Sequence, residues 1–422
     1  MLKRREFLAA AASGATLAGA ATTNPPVPKG KADACIFLWL GGGAAQMDTF
    51  DPKVLGDGKK KPGSYYKSIE TAIRGEKVCE HLSRTAPLMD RAVAVRSVTH
   101  DISGEHAAAA NLVHTGRKPS GTILYPAIGS IVSNQLGAKT DDVPAYVVMG
   151  YPSIIRDPGF LGAKYGYIYL TQIDTGPAGL MRPPDVDLNR EDRRETLLGS
   201  MRDAYRKRNP KDQTIEQQDA ITRSAFKLAG PKFLNVFDLA RESSTLRESY
   251  GGEFGQRCLL ARRLVQSGVR FVEVSHNLNF LNGSGWDTHN EGQLNQHLLI
   301  QELDKAFSSL VTDLERNKML DTTLVVIATE FGRPPEFDSG GGRGHQSLGF
   351  TMVLAGGGLK TGQVIGRTDD FGGKVVDRPI SVPDFHATLH CALGIDPHKN
   401  LYAGDRPVPI TDRGTPIAEL FS

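Results

Sequence analysis

Short, almost continuously apolar runs recur along the chain and predict buried β-strands. The first is ACIFLWL, which stands directly before three glycines and lacks polar alternation. Strands that are covered on both faces of a parallel sheet have this character. Five further runs of this type are residues 92–98, 145–150, 269–275, 323–329 and 350–356. The pattern therefore predicts a central sheet that is buried on both sides.

Helical periodicity separates these apolar runs. The segment RCLLARRLVQSG ends at a glycine and leads directly into the run at 269–275, as a helix joined to a strand does. From Gln293 to Asn317, large apolar residues recur at helical spacing and predict one long amphipathic helix. Strands that alternate with such helices predict βαβ units. The expected fold class is α/β, with a mostly parallel central sheet and helices on both faces.

Two stretches interrupt this alternation. Residues 151–190 are rich in Gly, Pro, Tyr and Asp, and residues 188–248 are highly charged and favour helices. The chain contains no Gly/Ser-rich linker and no internal repeat, so a single elaborated domain is expected. We predict one domain over residues 30–422, with a helical and loop insertion at about 151–250.

The first residues are typical of an export signal. Arg4 and Arg5 precede a small, weakly apolar run that ends in Ala-Gly-Ala, which is the pattern of a twin-arginine signal peptide over residues 1–21. A basic terminus on an alanine-rich helix is the alternative. The run is too short for a stable membrane span, and no later segment reaches that length. We predict no transmembrane segment, and export by the twin-arginine translocation machinery to the periplasm or beyond.

Composition does not indicate a function, but it excludes some classes of protein. Charged residues make up 23% and hydrophobic residues 40% of the chain, which is typical of a globular protein. The formal net charge of +3 is too small to indicate a nucleic-acid partner. The four cysteines have no C-x-x-C spacing, so neither a zinc ribbon nor a redox motif is expected.

Acids and histidines follow several of the predicted strands. Asp48 comes after the glycine turn, Glu330 ends TLVVIATE, and His345 lies in a later glycine tract. Asp287 and His289 are two residues apart, and in an extended segment such side chains point to the same side. Ligands of open α/β sheets bind at the carboxyl ends of the strands. Isolated carboxylates and imidazoles at that edge indicate a divalent-metal site.

These residues also have structural interpretations. Asp48 can cap the following segment, and Asp287 and His289 can form a hydrogen-bonded pair on a surface loop. Glu330 can tie down a neighbouring loop instead of binding a cation. For His345 the surrounding glycines disfavour a place in the core and favour a ligand or a proton donor.

A further candidate region surrounds His106. This histidine begins an alanine-rich run that ends just before Arg117, and the start of a helix favours anions. Arg117 and Arg333 are candidate contacts for a phosphate or sulfate group, because a guanidinium binds such anions in a bidentate way. The alternative for the alanine run is a helix that only packs closely.

The motifs taken together resemble a known family. The twin-arginine start, QMDTFDPK, WDTHN, ATEFGR and LAGGGLKTGQVIG are similar to the bacterial domain-of-unknown-function 1501 family. The order of the acids and histidines resembles the wider alkaline-phosphatase-like superfamily of phosphatases, sulfatases and cofactor-independent phosphoglycerate mutases. This resemblance implies an alkaline-phosphatase-like three-layer sandwich with an active site at the carboxyl ends of the strands.

The resemblance also implies a set of metal ligands. Asp48 would bridge two divalent ions, Asp287 and His289 would hold one ion with His345, and Glu330 would help to hold the second. Mixed oxygen and nitrogen ligands suit zinc, manganese or iron.

The sequence departs from the superfamily at three places. The Asp-His pair is spaced D-x-H instead of D-x-x-x-H, and Glu330-Phe331 replaces the usual Asp-His. His106 stands at the nucleophile position, where a formylglycine sulfatase needs Cys or Ser. Three roles remain open for this catalytic candidate: a phosphorylated nucleophile, a nitrogen ligand, or a general acid or base beside a metal-bound hydroxide. We favour a ligand or acid/base role.

The expected function is therefore an exported, metal-dependent hydrolase of phosphate or sulfate esters that uses no formylglycine. Its substrate would be a small-molecule or polysaccharide ester. The alternative is a catalytically degenerate protein of the same fold that binds a carbohydrate or a protein partner and keeps at most one structural ion. The number of ions per chain distinguishes the two hypotheses.

Overall fold

The architecture was obtained as a computed structural model. It describes residues 27–150, 156–173, 176–177, 186–212, 214–215, 218–219, 222, 231–276, 285–289 and 292–421. The predicted signal peptide at 1–21 lies outside the described residues, as do several short parts of the insertion predicted at about 151–250.

The six predicted apolar runs coincide with β-strands to within two residues at each end, and the structure adds further strands. The strands are β1 (Ala34–Trp39), β2 (Ser68–Glu70), β3 (Lys77–Cys79), β4 (Ala92–Thr99), β5 (Tyr146–Met149), β6 (Ile168–Leu170), β7 (Phe271–Ser275), β8 (Thr323–Ala328), β9 (Phe350–Gly356), β10 (Gln363–Ile365), β11 (Arg367–Thr368), β12 (Val375–Asp377), β13 (Ile380–Ser381), β14 (Asn400–Ala403) and β15 (Arg406–Pro409). The helices are α1 (His106–Thr115), α2 (Ile128–Leu136), α3 (Leu188–Arg208), α4 (Pro231–Leu234), α5 (Ser244–Tyr250), α6 (Glu253–Ser267), α7 (Gly292–Arg316) and α8 (Val382–Ala392).

Among the described residues, nine strands form one central sheet. Their order is β10-β4-β9-β8-β1-β7-β5-β6, and β13 also pairs with β4. Every neighbouring pair is parallel except the two pairs that involve β9, which runs antiparallel to both β4 and β8. The prediction of a mostly parallel sheet is therefore confirmed, and the antiparallel direction of β9 is an addition to it.

The sheet is covered on both faces, which explains the continuous apolar runs. Alternate side chains of β1 enter opposite cores: Ile36 and Leu38 pack toward α6 and α7, whereas Phe37 and Trp39 pack toward α1, α2 and α8. All six residues of β1 are buried. Helices on both faces of a sheet form a three-layer α/β sandwich, so the predicted fold class is confirmed.

The strand directions bring several loops to one edge of the sheet. Strands β1, β4, β7 and β8 run the same way, so their carboxyl ends lie at the same edge. Because β9 runs in the opposite direction, its first residue lies at that edge as well. The segments that follow β1, β4, β7 and β8, and the segment that precedes β9, therefore meet there.

Two smaller predictions concern the cysteines and the membrane. All four cysteines are buried free thiols, and burial raises the pKa of the Cys35 thiol well above its usual range. Among the residues that the structure describes, no helix has the length and apolar character needed to cross a bilayer.

Candidate metal centre

Four side chains converge at this edge of the sheet. Asp287 Oδ1 lies 3.0 Å from His289 Nε2 and 3.1 Å from His345 Nε2. His345 Nε2 is in turn 2.9 Å from His289 Nε2 and 3.1 Å from His106 Nε2. His106 Nε2 lies 3.4 Å from Asp287 Oδ2. The four residues, hereafter the His₃Asp cluster, are His106, Asp287, His289 and His345.

Hydrogen bonding alone does not account for this geometry. An imidazole nitrogen carries either one proton or one lone pair in the plane of the ring. His345 Nε2 nevertheless lies within 3.1 Å of three polar atoms, of which two are nitrogens of other histidines. A cation among these atoms would resolve the conflict, because the ring nitrogens beside it can then direct lone pairs toward it.

The separations match the ligand shell of a small divalent ion. Ligand bonds of about 2.1 Å in a tetrahedral arrangement place neighbouring ligand atoms about 3.4 Å apart. The five separations given above range from 2.9 to 3.4 Å. The candidate ligand atoms of His106, Asp287 and His345 all lie within 4.8 Å of one another. These three residues therefore fit a divalent ion with two nitrogen ligands and one carboxylate ligand, and His289 lies beside them within 3.0 Å of His345 Nε2 and Asp287 Oδ1.

Local structure explains how His106 reaches the cluster. It is the first residue of α1, and the Glu105 side chain caps the helix by accepting hydrogen bonds from the Ala107 and Ala108 backbone N–H groups. The cap holds the helix start at the end of the segment that follows β4. The predicted helix start at His106 is confirmed.

Glu330 orients His106 through the ring nitrogen that points away from the cluster. Its Oε1 lies 2.8 Å from His106 Nδ1 and accepts a hydrogen bond of 2.8 Å from the Gly42 N–H. A carboxylate on the far nitrogen of a ligand histidine fixes the tautomer that directs the other nitrogen to the metal. Burial lowers the pKa of His106, but the carboxylates of Asp287 and Glu330 outweigh it and raise the pKa to about 9. The structure thus places Glu330 against His106, and not as a separate ligand at the centre.

Asp287 is fixed by a buried arginine. Arg333 is fully buried, and its Nη2 donates a hydrogen bond of 2.5 Å to Asp287 Oδ1. Burial raises the pKa of Asp287, but hydrogen bonds from His106, His345 and Arg333 outweigh it and hold the pKa well below its usual range. The carboxylate is therefore ionised, as a metal ligand must be.

Arg333 has no N–H group left for a substrate. Besides Asp287, its guanidinium donates to the backbone carbonyl oxygens of Gly42, Gly43, Trp286, Arg343 and Gly344. A guanidinium has five N–H donors, and here the protein uses all of them. This position favours a structural clamp across three loops over the predicted anion contact.

Asp48 lies outside the His₃Asp cluster. Its Oδ2 accepts a hydrogen bond of 3.0 Å from Arg343 Nε, and its Oδ1 accepts one of 2.6 Å from the Tyr65 N–H. Both charged side chains are fully buried. The structure therefore pairs the predicted bridging ligand with a cation that the protein itself supplies.

Arg117 is also placed away from the cluster. Its Nη2 donates to the backbone oxygens of Pro409 and Thr411, its Nη1 pairs with Asp412 at 3.3 Å, and its guanidinium lies over the Tyr125 ring. These contacts tie the end of α1 to the C-terminal segment. The structure thus brings together four of the predicted site residues, with Glu330 behind them, and leaves Asp48 and Arg117 apart.

Two residues near the centre were not singled out by the sequence. Arg343 holds Asp48, and Asp338 places Oδ2 at 3.6 Å from His289 Nδ1. The available signal for Arg343 was its position two residues before His345, as the one charged residue in a tract of glycines. Asp338, eight residues beyond Glu330, carries no comparable signal.

The cluster is open to solvent on one side. The side chains of His106 and His289 are 36% and 37% exposed, and that of Asp287 is 25% exposed. A cleft of about 510 Å³ is lined by Asp338, Lys59, Lys60 and Tyr65, and its link to the cluster is the Asp338 carboxylate, which lies 3.6 Å from His289 Nδ1. A molecule in solution can thus reach the ring nitrogens.

The chain belongs to the family described as "Protein of unknown function (DUF1501)", whose model matches residues 32–421. No curated protein matches the chain.

Several solved structures are similar to the chain at low identity. The lipoteichoic acid synthase LtaP from Listeria monocytogenes is 10% identical, with a TM-score of 0.37 over 92% of this chain and 77% of LtaP. The PsFucS1 sulfatase from Pseudoalteromonas sp. is 11% identical, with a TM-score of 0.35 over 87% and 68%. The alkaline phosphatase from the Antarctic bacterium TAB5 is 13% identical, with a TM-score of 0.36 over 80% and 95%. These values are too low to transfer an activity or a ligand.

Proposed function

We propose that this member of the DUF1501 family is an exported, metal-dependent hydrolase of phosphate or sulfate esters with an alkaline-phosphatase-like fold. One observation carries the proposal: three histidine nitrogens and a carboxylate converge at the carboxyl edge of the sheet and remain open to solvent. A cluster with this donor set holds zinc, manganese or iron, and the opening leaves room for an ester beside the ion.

The protein residues prepare the centre in distinct ways. His106, His345 and Asp287 would supply ligand atoms, and His289 lies beside them. Glu330 holds the Nδ1 side of His106, and Arg333 restrains the Asp287 carboxylate. A divalent ion held there would act as a Lewis acid toward an ester oxygen and stabilise the charge that develops during hydrolysis.

His106 acts as a ligand in this proposal. Its Nδ1 is engaged by Glu330, and its Nε2 faces His345 and Asp287. A nucleophilic imidazole needs one nitrogen directed at the substrate, and both nitrogens of His106 already have partners. This geometry favours the ligand role over the phosphorylated nucleophile.

The cleft beside His289 is the proposed place for the rest of the substrate. Lys59 and Lys60 line one side and would attract an anionic ester, and Tyr65 offers a ring for apolar or sugar-like groups. A small-molecule or polysaccharide ester fits a cleft of about 510 Å³ that is open at the surface.

A binding protein of the same fold is the second candidate. The position of Asp48 favours this binding protein, because the Asp48 carboxylate pairs with Arg343 instead of binding a second ion. On this hypothesis the His₃Asp cluster holds one structural ion, and the cleft binds a carbohydrate or a protein partner without cleaving it.

Activity measurements distinguish the candidates. The mature chain is loaded in turn with Zn²⁺, Mn²⁺ and Fe²⁺ and tested with chromogenic phosphate and sulfate esters. We expect turnover that Asp287→Ala abolishes and that Asp90→Ala, an exposed acid at the opposite edge of the sheet, leaves unchanged. Bound metal without turnover on any ester would favour the binding protein, and a chain that binds no metal would refute the hydrolase.

A further inference from the structure

We propose that the centre holds a single divalent ion, because the guanidinium of Arg343 occupies the position on Asp48 that a second cation would need. This inference rests on the proposed metal centre. It concerns how many ions the residues can hold; because one ion can act as a Lewis acid toward an ester, a single ion is compatible with the proposed hydrolase.

The Asp48 carboxylate is already paired with a cation of the protein. Arg343 contacts both oxygens, with Nε at 3.0 Å from Oδ2 and Nη2 at 3.5 Å from Oδ1. The Tyr65 N–H donates to Oδ1 at 2.6 Å. The whole Asp48 residue is 0% exposed. A buried carboxylate in such a pair is already charge-compensated.

The surrounding backbone holds Arg343 in this place. Its Nη1 donates to the carbonyl oxygens of Pro334 and Pro335 at 3.1 and 2.8 Å, and its Nη2 donates to the Gly63 carbonyl at 2.7 Å. The guanidinium also lies 4.1 Å from the centre of the Phe337 ring. All five N–H groups have acceptors, and an arginine stays charged at any pH that a folded protein tolerates.

A second ion that took the place of Arg343 at Asp48 would displace its guanidinium. The displaced guanidinium is fully buried and would lose its counter-charge together with its hydrogen bonds. Leaving a buried charge unpaired is strongly unfavourable. The charge that a second ion would supply is permanently present as part of the protein.

The second carboxylate expected at a two-ion centre is also engaged. Glu330 Oε1 meets both His106 Nδ1 and the Gly42 N–H at 2.8 Å. It supports a ligand of the first ion instead of binding another. Asp287 uses both oxygens within the His₃Asp cluster. The carboxylates around the centre are thus sufficient for one ion.

Metal analysis of the full mature chain tests this inference. The protein is equilibrated with Zn²⁺ or Mn²⁺, freed of loosely bound metal by gel filtration, and measured by inductively coupled plasma mass spectrometry. We expect about one ion per chain. With Mn²⁺, electron paramagnetic resonance should give the spectrum of an isolated ion and not that of a coupled pair.

Two isosteric variants identify the ligands. Asp48→Asn should keep its one ion, whereas the matched change Asp287→Asn should lose it. Two ions in the wild type, or a coupled Mn²⁺ spectrum, would overturn the single-ion inference and leave the proposed hydrolase intact. No bound ion would overturn both proposals. If Asp48→Asn fails to fold, which circular dichroism detects, the wild-type stoichiometry and spectrum still decide.

Discussion

Glu273 is a buried acid in the middle of the central sheet. From its environment we predict how the free energy of unfolding changes at acid pH. It pairs in register with Phe37 of β1 and Val148 of β5. Its Oε1 accepts from Arg156 Nε at 2.5 Å and lies 3.1 Å from His114 Nε2, and its Oε2 accepts from the Tyr146 hydroxyl at 3.2 Å. The carboxylate is thus held by one cation and two further polar groups.

The contribution of this carboxylate to the free energy of unfolding follows from its pKa. Burial raises the pKa of Glu273, but Arg156 and His114 outweigh it and lower the pKa from 4.5 to about 2. Since the folded pKa is the lower one, the stabilisation is complete above pH 4.5 and is lost as the pH falls toward 2. The difference in pKa, at about 1.4 kcal/mol per unit, corresponds to about 3 kcal/mol.

Urea titrations of wild type and Glu273→Gln at pH 6 and at pH 2.5 measure this contribution. The variant should be less stable at pH 6, and the gap in the free energy of unfolding should shrink by about 2 to 3 kcal/mol at pH 2.5. As a control, Glu70→Gln removes an exposed partner of Lys77 and should change stability by less than about 1 kcal/mol at both pH values. A gap for Glu273→Gln of equal size at both pH values would refute the reasoning.

Three further predictions concern the metal ligands, the core and export. Glu330→Gln should lower metal affinity by about 10- to 100-fold in a chelator competition, because it weakens the orientation of His106; unchanged affinity would contradict that role. Phe307→Ala, in the buried face of α7, should cost about 3 to 5 kcal/mol in urea titrations, whereas Phe371→Ala at an exposed site should cost far less. Replacing Arg4 and Arg5 together by lysine should leave the precursor in the cytoplasm on cell fractionation; normal export would argue against a twin-arginine signal.

Much of the fold was predictable because burial alone selects the strands. The run at 350–356 coincides with β9 at both ends, and the run at 323–329 is one residue longer than β8. The direction of β9 was not predictable. A strand that is buried on both faces has the same apolar character whether its neighbours are parallel or antiparallel.

The candidate metal ligands were partly predictable, because some of them carry a local signal in the sequence. Asp287 and His289 are close in the chain, and His345 stands among glycines just before a strand. The partners of the other charged residues were not predictable. Asp48 and Arg343 are separated by 295 residues, and Gly42 and Arg333 by 291. No local pattern indicates which distant cation a buried carboxylate will meet.

The sequence by itself determined the main strands and helices, the layered architecture and the residue types available at the carboxyl edge of the sheet. The reason is that the hydrophobic periodicity of a strand or helix depends only on residues that are neighbours in the chain. Only the tertiary structure decided that His106, Asp287, His289 and His345 share one centre while Asp48 pairs with Arg343. The physical reason is that burying a charged side chain is strongly unfavourable unless an oppositely charged or hydrogen-bonding partner is buried beside it. That partner is chosen by the packing of segments hundreds of residues apart.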